Sequence, residues 1–143
     1  MISKGFKLIG REMDITVKSV RKMYNSTFSE NNVDLNIDQW PILAVLYDYN
    51  SLTQVEIAEH IRRFPQSLSA TIKLLIKKDY VVKEKSKEDM RSYNILLTKH
   101  GREIVETAFP YVKKLREKQW ENLSEEDYVK FFSIIEQIRN NVN

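Results

Sequence analysis

From Phe6 onward, apolar residues recur at every third or fourth position: Phe6, Ile9, Met13, Val17, Val20, Tyr24 and Phe28. This spacing predicts one face of an amphipathic helix of about 23 residues, closed by the polar turn from Ser29 to Asn32. A short helix is expected after Leu35, burying Trp40, Leu43 and Leu46 or Tyr47, with Asn36 or Asp38 as its cap. Pro41 costs least within a first helical turn, which favours Asp38 as the start.

Thr53-Gln54-Val55-Glu56 reads as a capping box, in which Thr53 and Glu56 exchange hydrogen bonds between side chain and backbone. The helix it opens carries Val55, Ile57, Ala58 and Ile61. Only Arg62 to Pro65 separate this from a second segment with Leu68, Ile72 and Leu75 on one face, and Pro65 suits a first helical position. Two short helices joined by a tight turn predict a helix-turn-helix.

Val81, Val82 and the run Tyr93 to Leu97 then read as strands flanking a charged, turn-prone stretch from Lys83 to Arg91, the pattern of a β wing. Thr98 caps a long helix with Ile104, Val105, Ala108, Phe109, Val112, Leu115 and Gln119 inward, and Pro110 predicts a kink or local break in it. Ser124 followed by three acids opens a last helix whose stripe is Tyr128, Phe131, Phe132, Ile135, Ile138 and Val142. The expected class is mainly α: an α+β winged helix-turn-helix of about six helices with a two- or three-stranded wing.

Composition narrows the chemistry. The 143 residues include no cysteine, which excludes disulfide frameworks, thiolate metal sites, cysteine nucleophiles and thiol redox sensing. The longest apolar run, Trp40 to Tyr47, is far short of the ~18 residues that cross a bilayer, and the charged amino terminus lacks a signal-peptide apolar region. A cytoplasmic protein with no membrane partner is the expectation. The histidines, His60 and His100, lie in different elements, and the glycines Gly5, Gly10 and Gly101 form no phosphate loop. No enzyme, metal site or cofactor is expected.

Charge changes the picture most. The formal net charge of +3 is unevenly divided: residues 1–61 hold six Lys/Arg against eight Asp/Glu, residues 62–91 nine against four, and residues 92–143 eight against eight. All the excess positive charge thus coincides with the second helix of the motif and the wing, as expected of a nucleic-acid surface.

Several local motifs match a known family: Gln39-Trp40 with Leu43 and Leu46, Glu56-Ile57-Ala58-Glu59, and above all Asp89-Met90-Arg91-Ser92 running into Leu97-Thr98-Lys99-His100-Gly101. Over essentially its whole length the chain resembles the MarR (multiple-antibiotic-resistance regulator) family of bacterial winged helix-turn-helix transcriptional regulators. It departs from the family pattern at Asp79, where Gly is usual, at Phe64, where a polar cap is usual, and at Ala70, a position often held by Arg.

The resemblance implies a homodimer, dimerising through residues 1–34 and 99–143, with a DNA-binding unit at residues 35–98. A recognition helix at residues 65–78 would enter a major groove and the wing at residues 83–93 an adjacent minor groove. The expected contacts to double-stranded DNA are Arg62, Arg63, Gln66, Ser67, Ser69, Ala70 and Lys73, with Lys85, Lys87 and Arg91 in the wing, and Asp89 orienting Arg91. Family members bind small aromatic compounds that release DNA, so repression of a pseudo-palindromic operator, relieved by such an effector, is the implied function. A winged-helix protein–protein adaptor without specific DNA binding is the alternative that the residues leave open.

Overall fold

The computed structural model describes residues 6–143, with side chains from Leu8 onward; residues 1–5 of the expected dimerisation region and the Phe6 side chain lie outside the described residues. Six helices and three short strands follow in the order α1 (Phe6–Glu30), α2 (Trp40–Tyr49), β1 (Ser51–Thr53), α3 (Gln54–Ile61), α4 (Pro65–Lys77), β2 (Val81–Lys85), β3 (Tyr93–Leu97), α5 (Lys99–Gln119) and α6 (Glu125–Val142).

The core gathers where α2, α3 and α4 meet the sheet and the facing parts of α1 and α5. Phe28, Leu43, Leu46, Ile57, Leu68, Leu75, Ile95 and Val112 are fully buried. Each such side chain contributes roughly 1.5–3 kcal/mol by leaving water, so the apolar faces of α2, α3 and α4 carry much of the stability. The sheet has the order β1-β3-β2, both pairings antiparallel, with Leu52 opposite Ile95 and Val82 opposite Leu96. Its root is apolar while β2 beyond Val81 is exposed, so the hairpin leaves the core as a polar projection.

Local signals settle most boundaries. Thr53 accepts from the Glu56 amide at 3.2 Å and Glu56 reaches back to the Thr53 amide, completing the expected capping box. Ser124 and Asp127 form a second one at the start of α6. Pro65 opens α4 without needing an amide partner.

Three details differ from the expectation. Phe109 and Gln119, expected to face inward on α5, are exposed. Neither Asn36 nor Asp38 is the cap of α2, which starts at Trp40 after Gln39. The Asn36 carboxamide instead accepts from the amides of Asp38 and Gln39, both at 2.9 Å, making a separate turn, and the Asp38 carboxylate is taken by Arg21. The helix α5 also runs unbroken through Pro110. Proline there removes a single hydrogen bond, and its ring lies on the exposed side, so the flanking turns hold the helix together.

Candidate nucleic-acid interface

The helix-turn-helix is built by its turn. Arg62 ends α3 in the left-handed conformation (φ 56°), and its amide and that of Arg63 both return to the Ala58 carbonyl. This sharp reversal lets α4 lay Leu68, Ile72 and Leu75 on the core while its other face stays in solvent. A polar clamp adds to the apolar contact: the Gln54 amide, from the first turn of α3, donates to the Pro65 carbonyl at 2.7 Å and to Ser69 Oγ at 3.0 Å. Gln54 was invisible as a functional position, because nothing in its own segment marks a partner 11 residues away.

The far end of α4 is pinned as well. Lys78 Nζ donates to the Asp34 carboxylate at 2.9 Å and to Gln39 Oε1 at 3.3 Å. Asp79 follows at φ 62°, the left-handed cap expected at this departure from the family's glycine. Tyr80 is buried with its hydroxyl beside Asp34, and burial together with that carboxylate pushes its pKa above the usual phenol value.

Arg21 and Asp38 form a two-pronged ion pair, 3.0 and 2.7 Å, between α1 and the turn before α2. Arg21 holds the Asp38 carboxyl below its usual range, with help from Arg63, outweighing the opposite effect of partial burial. Arg63 continues the chain of contacts: its guanidinium donates to the Asp38 carbonyl at 3.5 Å and to the Ser67 carbonyl at 3.3 Å.

The expected contact residues therefore divide. Arg62 is committed within the chain, 3.3 Å from Glu136 of α6 and stacked over the Phe132 ring, and Arg63 is half-buried on backbone carbonyls. Ser67 Oγ donates to the Phe64 carbonyl, and Ser69 Oγ accepts from Gln54. Gln66, Ala70 and Lys73 are exposed, and no side-chain hydrogen bond or ion pair engages Gln66 or Lys73 among the described residues.

In the wing, Ser86 is buried and its hydroxyl accepts from the amides of Glu88 and Asp89, both at 3.3 Å, while its own amide closes the hairpin onto the Ser92 carbonyl. Asp89 Oδ1 accepts from the Arg91 backbone amide at 2.9 Å. Asp89 thus shapes the turn that carries Arg91, acting on its backbone amide rather than on its guanidinium. Lys85, Lys87 and Arg91 stand exposed without an ion-pair partner among the described residues, and Lys83 lies over the Tyr93 ring. One exposed α4 face and one cationic hairpin, rooted in the same core, can present positive charge and hydrogen-bond donors to a polyanion.

No group of three or more His, Asp or Glu side chains placed to hold a metal occurs among the described residues, and no described helix is long and apolar enough to cross a membrane. Both histidines pack on tyrosines instead, His60 on Tyr49 and His100 edge-on to Tyr80.

Comparison with known proteins agrees with this geometry. A helix-turn-helix transcriptional regulator of Bacillus anthracis, itself uncharacterized, is 32% identical over 77 residues, covering 54% of this chain and 50% of the relative. The chain thus spans about half the length of the curated relatives it matches. A mutant of MarR from E. coli in complex with operator DNA superimposes with a TM-score of 0.81 at 18% identity, over 96% of this chain and 98% of that one. Bordetella bronchiseptica BpsR, solved in connection with regulation of its DNA binding by 6-hydroxynicotinic acid, gives a TM-score of 0.81 at 16% identity, over 97% and 96%. At such identities the likeness establishes the fold. The sequence match is carried by residues 35–93, which fit the model of the MarR family from Leu35 to the end of the wing.

Proposed function

We propose that the protein is a homodimeric DNA-binding transcriptional regulator, a repressor, that reads a pseudo-palindromic operator with α4 and the wing. The observation that carries this reading is the exposed, unpartnered set Gln66, Lys73, Lys85, Lys87 and Arg91, standing on two elements of one core within the stretch that holds nine Lys/Arg against four Asp/Glu. In a major groove Gln66 has the paired donor and acceptor that adenine presents, and Lys73 reaches guanine or phosphate. Arg91 suits the narrow minor groove, whose potential favours arginine.

One winged helix makes too few contacts for specific binding at physiological salt, and two half-sites a helical turn apart supply them. The helix α6 supports the pairing: none of its 18 residues is buried within the protomer, although Tyr128, Val129, Phe131, Phe132, Ile134 and Ile138 form an apolar surface. A groove of ≈ 630 Å³ between α1 and the α5–α6 turn, lined by Val20, Met23, Trp120, Leu123 and Phe131, extends it.

Release by a small aromatic effector rests on a second cleft, ≈ 460 Å³, between α2 and α5, lined by Trp40, Tyr47, Val105, Phe109 and Arg116. The rings of Trp40, Tyr47 and Phe109 suit an aromatic ligand, and Arg116 offers a cation to an acid or phenolate.

Fluorescence anisotropy on a duplex selected from a random pool tests the reading. Neutralising roughly 6–10 phosphates per dimer gives a log–log salt slope of about −5 to −9, and Arg91→Ala lowers its magnitude. A flat salt dependence, or capture of a stoichiometric protein partner that survives nuclease treatment, would instead favour an adaptor.

A further inference from the structure

Phe64 is the most solvent-exposed of the large apolar residues among those described, at 80%. It occupies the cap position of α4, where a serine, asparagine or aspartate would satisfy a free amide of the first turn, and its side chain makes no capping bond. The first turn is served by other atoms: the Phe64 carbonyl accepts from the Ser67 amide at 3.0 Å and from Ser67 Oγ at 2.7 Å. The ring therefore neither caps the helix nor packs in the core, and folding gives no account of it.

Its place is nevertheless fixed. Pro65 restricts the preceding residue to extended backbone, and Phe64 has φ −67° and ψ 137°, two residues after the left-handed Arg62. The Arg63 guanidinium on the Ser67 carbonyl and the Gln54 clamp on Pro65 brace both sides of the turn. An aromatic ring is thus held in water at the leading end of α4.

We propose that Phe64 is a specificity-determining residue that contacts the C5 methyl of a thymine in each half-site, an assignment that rests on the DNA-binding reading above. The amino-terminal residues of a recognition helix lie nearest the base edges, and the thymine methyl is the apolar feature that the major groove of ordinary DNA displays there. The electrostatic setting selects this occupant over an apolar peptide: Phe64 lies within the stretch that holds nine Lys/Arg against four Asp/Glu, which favours a polyanion as the partner. The site read by this chain therefore carries a thymine, beyond whatever Gln66 and Lys73 demand.

Replacing thymines of the selected duplex one symmetric pair at a time by deoxyuridine removes only the methyl. For the intact protein one pair should stand out, with binding weakened roughly fourfold per half-site, the value expected for exposing one buried methyl group. Phe64→Ala should lose a similar factor on the thymine duplex and show no further loss on the deoxyuridine duplex at that pair, while keeping the salt slope and the thermal midpoint. The proposal is overturned if Phe64→Ala binds like the unaltered protein. It is equally overturned if the variant is weakened by the same factor on both duplexes, the behaviour of an intercalating wedge or a perturbed fold. If no duplex is retained from the pool, DNA binding itself fails and the Phe64 assignment falls with it; retention with a steep salt slope but no methyl effect removes the Phe64 assignment alone.

Discussion

At the scale of single residues, Gly101 shows how tightly the start of α5 is set against the end of α4. Thr98 caps this helix by accepting from the Gly101 amide at 2.9 Å, and its hydroxyl donates to the Asp79 carbonyl just beyond α4. The Thr98 amide meets the Tyr80 carbonyl at 3.0 Å, and a Cβ on Gly101 would collide with that same carbonyl and with the Leu97 side chain. Glycine is required here by the close approach of two backbones rather than by its own dihedral angles. Alanine would gain up to about 1 kcal/mol of helix propensity. A backbone carbonyl cannot swing aside as a flexible side chain would, and forced overpacking costs roughly 1–3 kcal/mol, so the clash outweighs the gain. Gly101→Ala should lower the urea midpoint without changing the slope of the transition; an unchanged or raised midpoint would mean that the backbone at Tyr80 gives way freely.

At the scale of elements, the α1–α2 connection ties the long first helix to the helix-turn-helix through Arg21, Asp38 and Arg63. Arg21 holds the folded-state pKa of Asp38 below its ordinary value near 3.8, so the pair stabilises the fold above that value and loses its effect as the pH falls through the depressed one. Both side chains are about two-fifths exposed, which limits the contribution to at most about 1 kcal/mol. Asp38→Asn should therefore be slightly less stable than the unaltered protein at pH 7, and the difference should vanish in acid well below pH 4. A gap that persists in acid would assign the effect to the Asn36 turn instead of to charge.

Elements whose causes are local were readable in advance: the Thr53–Glu56 box, Pro65 at the head of α4, Ser124 before α6. The strand β1 was not, because three residues carry no periodicity and Ser51–Thr53 is extended only by pairing with Leu96, Ile95 and Asn94. The start of α2 was misplaced for a similar reason, since the partner that draws Asp38 away from capping lies 17 residues earlier. At the interface, sequence identified the exposed cations of α4 and the wing. It could not show that Arg62 is occupied by a carboxylate 74 residues distant, or that Asp89 acts through an amide two residues on.

At the scale of the whole molecule, the protomer is unevenly finished. Its central core is closed, whereas α6 lies almost entirely in solvent, touching the helix-turn-helix through Arg62 on Phe132 and Glu136 and the end of α5 through the Trp120, Tyr128 and Phe131 rings. On α1 the exposed apolar residues Leu8, Ile9, Met13, Ile15 and Val17 add to the same deficit. A second chain would cover both, and interfaces that are permanent commonly bury about 2,000 Å² or more of largely apolar surface. Phe131, 54% exposed and lining the groove against α1, is a residue at which a charge would be costly in a pair and far less costly in a single protomer. Sedimentation should give the unaltered protein twice its 17.0 kDa chain mass, and Phe131→Glu should shift it toward one chain with little loss of helical signal. Operator affinity should fall with it far more than loss of any single base contact allows, because each half-site then binds alone. If the unaltered protein sediments as one chain at concentrations where it binds its operator, pairing through α1 and α6 is wrong and specificity must come from a single winged helix.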